Sequence, residues 1–302
     1  MKTENTLQEP SGVLIVAKHA GATSHDIVNK IRRLYGTRRV GHTGTLDPMA
    51  TGVLPILCGN ATRALDLLPV QDKRYTATFR FGLVSDTEDI WGEVSPTGQP
   101  LPTKAAVEAA LPAFRGQLQQ VPPMMSAVQK DGVRLYELAR QGIVIEREAR
   151  TVTVYRLDLL DYNEQTGELT VDCACSKGTY IRTIGAELGN ALGCGAVMTA
   201  LCRTEAAGYP LDKCVTLDEV RKMSEAERQE LLLPTDSLFS VYPSVVVSPA
   251  QATRFANGGG LSLDRLKTAV DDTVRVYAPD GAFLGLGTPK EGELSVLKVF
   301  PR

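Results

Sequence analysis

The sequence predicts an α+β fold, with a mixed, mostly antiparallel sheet in a large domain and a small β-rich module after it. Residues 74–81 alternate between polar and apolar side chains, which is the period of a half-buried strand. Residues 151–160 and 168–175 predict a second strand pair, connected through Thr166 and Gly167. Helical segments interleave with the strands without regular βαβ spacing or an internal repeat, and this favours the α+β class.

Local signals place the elements along the chain. Residues 12–17 predict a short buried strand. Thr23 and Asp26 form a capping-box pattern ahead of an amphipathic helix, and Gly36 supplies its stop. A further helix is predicted at residues 180–192, where apolar side chains recur on one face.

A domain boundary is predicted between residues 1–242 and 243–302. Within the first, residues 116–150 differ in composition, with mixed charge and adjacent prolines, and we expect a surface insertion there. The second opens with Ser248 as an N-cap and Pro249 at the first helical position. Three strands are then predicted, at residues 273–278, 282–287 and 293–300.

Composition limits the class of protein. The chain has 302 residues, of which 43% are hydrophobic, and this excludes a disordered chain. The net charge of −2 predicts no bulk attraction to nucleic acid, so RNA binding would depend on local patches. The best candidate patch is the stretch 27–46, which contains no acidic residue and carries Lys30, Arg32, Arg33, Arg38 and Arg39. A solvated helix face is the alternative interpretation.

The six cysteines include no CxxC pair, and the three histidines lie far from them in sequence. We therefore expect no metal site and no disulfide framework, and reduced cytoplasmic thiols are the simpler interpretation. Residues 1–12 lack the apolar core of a signal peptide, and no stretch of about 18 apolar residues predicts a membrane span. A cytoplasmic protein is expected.

The segment from Gly41 to Gly52 (GHTGTLDPMATG) is the most unusual in the chain. Its glycines permit close backbone approach, and Pro48 holds the preceding Asp47 in an extended conformation. A carboxylate on a stiff loop suits catalysis. Asp-Pro is also an ordinary helix N-cap, and His42 alone could be a surface histidine.

A second candidate segment, residues 175–182 (CSKGTYIR), predicts a strand–turn–helix junction whose exposed amides could hold a phosphate. Arg182 lies in the first helical turn, where a cation opposes the helix dipole, so a carboxylate partner would explain its position. A structural ion pair is the alternative. Tyr75 begins a predicted strand and, without further context, is an inward-facing aromatic residue.

Together these segments resemble the TruB family of tRNA pseudouridine synthases. The match at residues 41–52 is the most specific, and the segments DKRY (72–75), DTED (86–89) and CSKGTYIR (175–182) follow in the family's order and spacing. The resemblance is strong over residues 12–235. It is weaker over the C-terminal module, which resembles a PUA domain, a small RNA-binding β-barrel.

The resemblance implies a catalytic domain of the pseudouridine synthase type that isomerises uridine-55 in the T loop of tRNA without a cofactor or metal. Asp47 matches the catalytic aspartate, either as nucleophile or as the anion that stabilises the sugar cation. Arg182 would pair with Asp47, and Tyr75 would stack on the flipped uracil.

The resemblance also assigns substrate-binding residues. His42 would fill the stack that the flipped base leaves, and Tyr180 and Leu201 would line the pocket. Lys18 matches a lysine near the site, although the family usually shows Lys-Pro where this chain has Lys18 and His19. The insertion would close over the RNA of the T arm, the PUA-like module would contact the acceptor end of tRNA, and the protein would act as a monomer.

Three alternatives are open on sequence alone. An RNA-folding chaperone would bind tRNA through the same surfaces without chemistry, but the set of Asp47, Tyr75 and Arg182 argues against it. A guide-RNA-dependent relative would need partner proteins, and the insertion favours the stand-alone form. A hydrolase that uses Asp47 ranks lowest, because no second carboxylate or metal set has a distinctive spacing.

Overall fold

The computed structural model describes residues 9–301. Strands of the large N-terminal part, in chain order, are β1 (Gly12–Lys18), β2 (Val40–His42), β3 (Thr51–Cys58), β4 (Lys73–Phe81), β5 (Leu83–Ser85), β6 (Val94–Pro96), β7 (Gly116–Gln120), β8 (Gln129–Lys130), β9 (Val133–Arg134), β10 (Arg150–Asn163), β11 (Glu168–Cys175), β12 (Ala196–Ala206), β13 (Tyr209–Pro210) and β14 (Val215–Thr216). The strands that follow are β15 (Ser244–Val246), β16 (Leu261–Ser262), β17 (Val274–Tyr277), β18 (Phe283–Lys290) and β19 (Glu293–Val299).

The α-helices are α1 (Ser24–Tyr35), α2 (Lys104–Ala110), α3 (Leu135–Ala139), α4 (Ile181–Ala191), α5 (Leu217–Lys222), α6 (Glu225–Glu230) and α7 (Pro249–Ala256). Short 3₁₀ helices occupy Gly59–Leu67, Leu111–Phe114, Leu211–Lys213, Thr235–Phe239 and Leu263–Arg265. None of the helices in this described part of the chain is long and apolar enough to cross a membrane.

Eight strands form the main path of a ten-stranded sheet, in the order β14-β1-β3-β12-β4-β11-β10-β7, with β2 added to β3 and β13 to β12. Within the described strands of this ten-stranded sheet, only the β1–β14 and β3–β12 pairs are parallel, so the predicted mixed, mostly antiparallel sheet is confirmed. The predicted alternation in β4 is confirmed as well, since Tyr75, Ala77 and Phe79 are all buried.

Alternating residues of the central strands give the sheet two buried faces. Leu14, Leu54 and Phe79 share one core with helices α1 and α4. Val13 and Val53 point to the other face, where they pack with the 3₁₀ helices and with Phe300 near the C-terminus. Helix α1 begins at the predicted capping box, in which Thr23 and Asp26 bond reciprocally, and ends at a left-handed Gly36.

The predicted insertion is shorter than residues 116–150. Strand β7 belongs to the large sheet, because Gly116–Gln120 pairs with β10 at the sheet edge. Beyond it, β8 and β9 form a separate two-stranded sheet, which the short helix α3 follows.

The C-terminal module is a second sheet with the order β15-β17-β18-β19-β16. It curls into an open half-barrel, consistent with the predicted PUA-like fold. Helix α7 packs on it through Phe255 and begins at the predicted Ser248 cap, with Pro249 at the first helical position.

Candidate active site

Buried polar contacts from Ser24 and Lys18 hold the loop between β2 and β3, which contains Asp47. The Ser24 hydroxyl donates to the Leu46 carbonyl at 3.2 Å and accepts from the Leu46 amide at 2.9 Å. The Lys18 ammonium donates to the Pro48 carbonyl at 3.2 Å and also to the Ala50 carbonyl. Because these contacts lie on both sides of Asp47 in the chain, the backbone that carries the carboxylate is fixed.

Arg203 on β12 also holds the Asp47 loop, and it was not among the residues selected from the sequence. Its side chain is fully buried, and it donates from Nε to the Val53 carbonyl at 2.7 Å. Its other nitrogens donate to the carbonyls of Gly44 at 3.0 Å and Thr45 at 3.3 Å. A signal was available, since Arg203 follows Leu201 at the two-residue spacing that places both on the inward face of a strand.

Gly52 provides a test of how tightly this loop is held. Its φ is +101°, and an added Cβ would stand 2.2 Å from the Arg203 carbonyl oxygen. We expect Gly52→Ala to destabilise the protein by at least about 3 kcal/mol, because backbone strain and a backbone clash combine. Gly36→Ala is the matched control, since Gly36 also has a positive φ of +62° but has open space around it. Urea unfolding that gave equal losses for both variants would contradict the predicted clash.

Arg182, in the first turn of α4, connects the separate segments of the site. Its guanidinium is almost fully buried and donates from Nε to Asp47 Oδ2 at 2.9 Å, with a second contact of 3.4 Å to Oδ1. It also donates to the Thr87 carbonyl at 2.8 Å and to the Met125 carbonyl at 2.9 Å. Asp89 adds a second carboxylate, 3.7 Å from Nε. The predicted position of Arg182 beside a carboxylate is therefore what the structure shows.

A cavity of about 340 Å³ opens at this ion pair. It brings together five of the seven residues selected from the sequence: Asp47, Tyr75, Tyr180, Arg182 and Leu201. Lys73, which the sequence reasoning did not select, lines it too, and so do Ser126 and Val128 from the insertion. The cavity therefore contains a carboxylate, two aromatic residues and two cations, and the insertion forms part of its wall.

Burial shifts the pKa values of Tyr75 and Lys73, two polar residues of the cavity, in opposite directions. Burial raises the pKa of the Tyr75 phenol to about 12, with the nearby Arg203 opposing the shift. The phenol is therefore neutral at physiological pH. Burial also lowers the pKa of the Lys73 ammonium, and the cation of Arg203 adds to that shift.

The other two selected residues lie outside the cavity lining. Lys18 lies beneath the Asp47 loop; burial lowers its pKa to about 8, and the Asp47 carboxylate opposes this shift. His42 lies on β2, half-buried, and its Nδ1 atom is buried without a hydrogen-bond partner in the described part of the chain. Burial lowers the pKa of His42 as well, followed by the charge of Arg203. Within residues 9–301, no group of three or more His, Cys, Asp or Glu side chains is placed to hold a metal ion.

Comparisons with known proteins first define the class. Residues 32–181 match the family model described as TruB family pseudouridylate synthase (N terminal domain). Residues 182–240 and 243–300 match the models described as tRNA pseudouridylate synthase B C-terminal domain and Pseudouridine synthase II TruB, C-terminal. These matches place the chain in the class of the pseudouridine synthases.

Curated relatives narrow this class. A protein of Dechloromonas aromatica (strain RCB), named tRNA pseudouridine synthase B, is 44% identical over 97% of this chain and 96% of its own length. A protein of the same name from Burkholderia mallei (strain NCTC 10247) is 43% identical over 94% of this chain and 95% of its length. The chain belongs to the TruB family.

Two solved structures have a fold similar to that of this chain. One chain in the crystal structure of a Cbf5-Nop10-Gar1 complex has a TM-score of 0.71 at 24% identity, covering 96% of this chain and 85% of that one. A chain in the archaeal box H/ACA sRNP Nop10-Cbf5 complex has a TM-score of 0.71 at 22% identity, covering 98% and 88%. At this level of identity the likeness concerns the fold alone.

Proposed function

We propose that this protein is a stand-alone tRNA pseudouridine synthase that isomerises uridine-55 in the T loop. The observation that supports this most directly is the Asp47–Arg182 ion pair at 2.9 Å, in a cavity that also contains Tyr75. Family membership and relatives named tRNA pseudouridine synthase B identify the substrate class.

In the proposed reaction the bond between C1′ of the ribose and N1 of uracil breaks, the uracil turns, and a bond from C1′ to C5 forms. The proton on C5 is then lost and N1 gains one, so the reaction is an isomerisation. Asp47 acts either by attacking the nucleotide or by stabilising the positive charge on the sugar. Arg182 orients the carboxylate through its hydrogen bond of 2.9 Å from Nε to Asp47 Oδ2.

The cavity suits a flipped base. Tyr75 supplies an aromatic face, and Tyr180 and Leu201 supply further walls. The high pKa of Tyr75 keeps its phenol protonated, so we assign it stacking and hydrogen bonding rather than the role of an unaided base. His42, outside this cavity, would occupy the space that the base leaves in the T loop, and Lys18 positions the Asp47 loop from below.

We further propose separate roles for the two domains and for the insertion. Residues 1–242 form the catalytic domain, and the insertion within 116–150 closes over the T arm. Residues 243–302 form the PUA-like domain, which contacts the acceptor end of tRNA, chiefly through shape and phosphates. We expect a cytoplasmic monomer that needs neither metal nor cofactor.

The test is release of tritium from an unmodified tRNA transcript labelled at C5 of uridine. The purified protein alone, with a chelator present, should release one label for each tRNA, and mapping should place the product at position 55. Binding without release would favour the tRNA-folding chaperone. Release only after addition of a guide RNA and partner proteins would favour the guide-dependent relative.

A further inference from the structure

Trp91 is an exposed aromatic residue on a rigid support. It is 58% exposed, and it is the only tryptophan in the sequence. Its backbone amide donates to Asp89 Oδ1 at 3.0 Å, and the neighbouring Ile90 amide donates to the Met198 carbonyl of β12 at 3.0 Å. Asp86 closes the same loop by accepting from the Glu93 amide at 2.7 Å. The backbone that carries the indole is thus held in place, although more than half of the side chain faces solvent.

Trp91 forms one wall of a second cavity, which we call the threonine groove. Its volume is about 400 Å³, within the range of roughly 300–1,000 Å³ typical of small-ligand sites. Met49 lies on its lining, and its polar lining consists largely of hydroxyl groups, from Thr51, Thr76, Thr78 and Thr199. Since the hydroxyls of Thr51 and Thr199 already donate to backbone carbonyls, their lone pairs remain free to accept hydrogen bonds.

The threonine groove adjoins the candidate active site. Leu201 lines both cavities. Met49 follows Asp47 by two residues, which span at most about 7 Å, the scale of one nucleotide. The loop that carries Trp91 also carries Asp89, whose carboxylate faces Arg182. The two cavities therefore share Leu201, and residues of the Asp47 loop line both of them.

We infer that the threonine groove holds an unpaired base of the substrate RNA next to the target nucleotide, stacked on Trp91. Such an occupant needs an aromatic face for stacking and uncharged groups for hydrogen bonds to the base edge, and the groove offers both. Exposed Ile90 on the same loop and Val94 at the start of β6 would also suit a protein surface, but the hydroxyl lining and the Leu201 wall shared with the active-site cavity favour a base. This inference rests on the proposed RNA substrate.

The fluorescence of Trp91 provides the test, because no other tryptophan contributes to it. Asp47→Asn protein would be titrated with a T-arm hairpin that contains the target uridine, so that binding is observed without turnover. Two further hairpins would carry an abasic site on the 5′ or on the 3′ side of the target. We expect the intact hairpin to quench the fluorescence, and one of the abasic hairpins to lose most of that quenching.

Affinity gives a second readout, with labelled hairpin. Trp91→Ala should weaken binding about tenfold, the effect of losing one base–aromatic stack, and Trp91→Phe should retain most of the affinity. Val94→Ala is the matched control, because Val94 is an exposed apolar residue of the neighbouring strand that does not line the groove. Circular dichroism would check that each variant is folded.

Equal quenching by all three hairpins, unchanged affinity of Trp91→Ala, or absence of RNA binding would overturn the inference. Self-association of the wild type that Trp91→Ala abolished would instead assign the patch to a second copy of this chain. The proposed function is judged separately by tritium release from wild-type protein, so the inference can fail while the proposed function stands.

Discussion

Replacing Asp47 with asparagine is expected to reduce single-turnover tritium release by at least about a thousandfold, as expected when a group that acts on the reacting atoms is removed. Asparagine has almost the same shape and can still bond to Arg182, but it has neither the negative charge nor the nucleophilic oxygen. Asp47 lies on a loop that is fixed from below by Ser24, Lys18 and Arg203. We therefore expect the variant to fold and to bind tRNA nearly as the wild type does.

Asp66→Asn serves as the control for this prediction, since Asp66 is exposed on a 3₁₀ helix outside the cavity lining. It should release tritium at the wild-type rate. If Asp47→Asn retained more than about a tenth of the wild-type rate, the assignment of Asp47 to the chemistry would have to be abandoned. Equilibrium binding to the same transcript separates lost chemistry from lost affinity.

Replacing Arg182 with methionine is expected to lower both stability and activity. The side chain is almost fully buried and contacts Asp47, Asp89 and two backbone carbonyls. Removing one partner of a buried ion pair costs about 3–5 kcal/mol, because the remaining charge has no compensation. We expect a loss of this order in the free energy of unfolding by urea, together with a large loss of tritium release measured where the variant is still folded.

A double variant tests the reason for that loss. Asp89 is buried, at 7% exposure, and is the less accessible of the two carboxylates. In the Arg182→Met background, Asp89→Asn should restore part of the stability by removing an uncompensated charge, but it should not restore activity. A further loss of stability in the double variant would show that Asp89 does not depend on Arg182 for its charge compensation.

Local features were predictable from the sequence, whereas pairing between distant segments was not. The caps at Thr23 and Ser248 and the alternation in β4 depend on neighbours within a few residues, and the structure confirms them. The position of β12 between β3 and β4 depends on contacts across more than a hundred residues, for which a single sequence has no local signal. Gly116–Gln120 was placed in an insertion because its polar composition hides an edge strand.

The same contrast between local signals and long-range contacts applies to the candidate site. The segments around Asp47, Tyr75 and Arg182 were found from motifs, and the family membership is confirmed. Arg203 and Lys73 were missed because their partners are backbone carbonyls, which the sequence does not specify, and the spacing of Arg203 from Leu201 indicates only that it faces inward. The sequence could not place Trp91 beside the site, because that position depends on the β-bridge between Asp89 and the distant Met198.

The order of strands in the large sheet has a consequence for synthesis of the protein. Tyr75 on β4 and the Asp47 loop are made early, but both depend on β12, which ends only at Ala206. On the ribosome, the first half of the chain therefore emerges with both edges of β4 unpaired, because β11 and β12 follow later, and with no Arg203 to hold the loop. Such an intermediate is prone to aggregation and slow to complete. We expect the nascent chain to acquire protease resistance abruptly, once β12 has left the exit tunnel, rather than gradually.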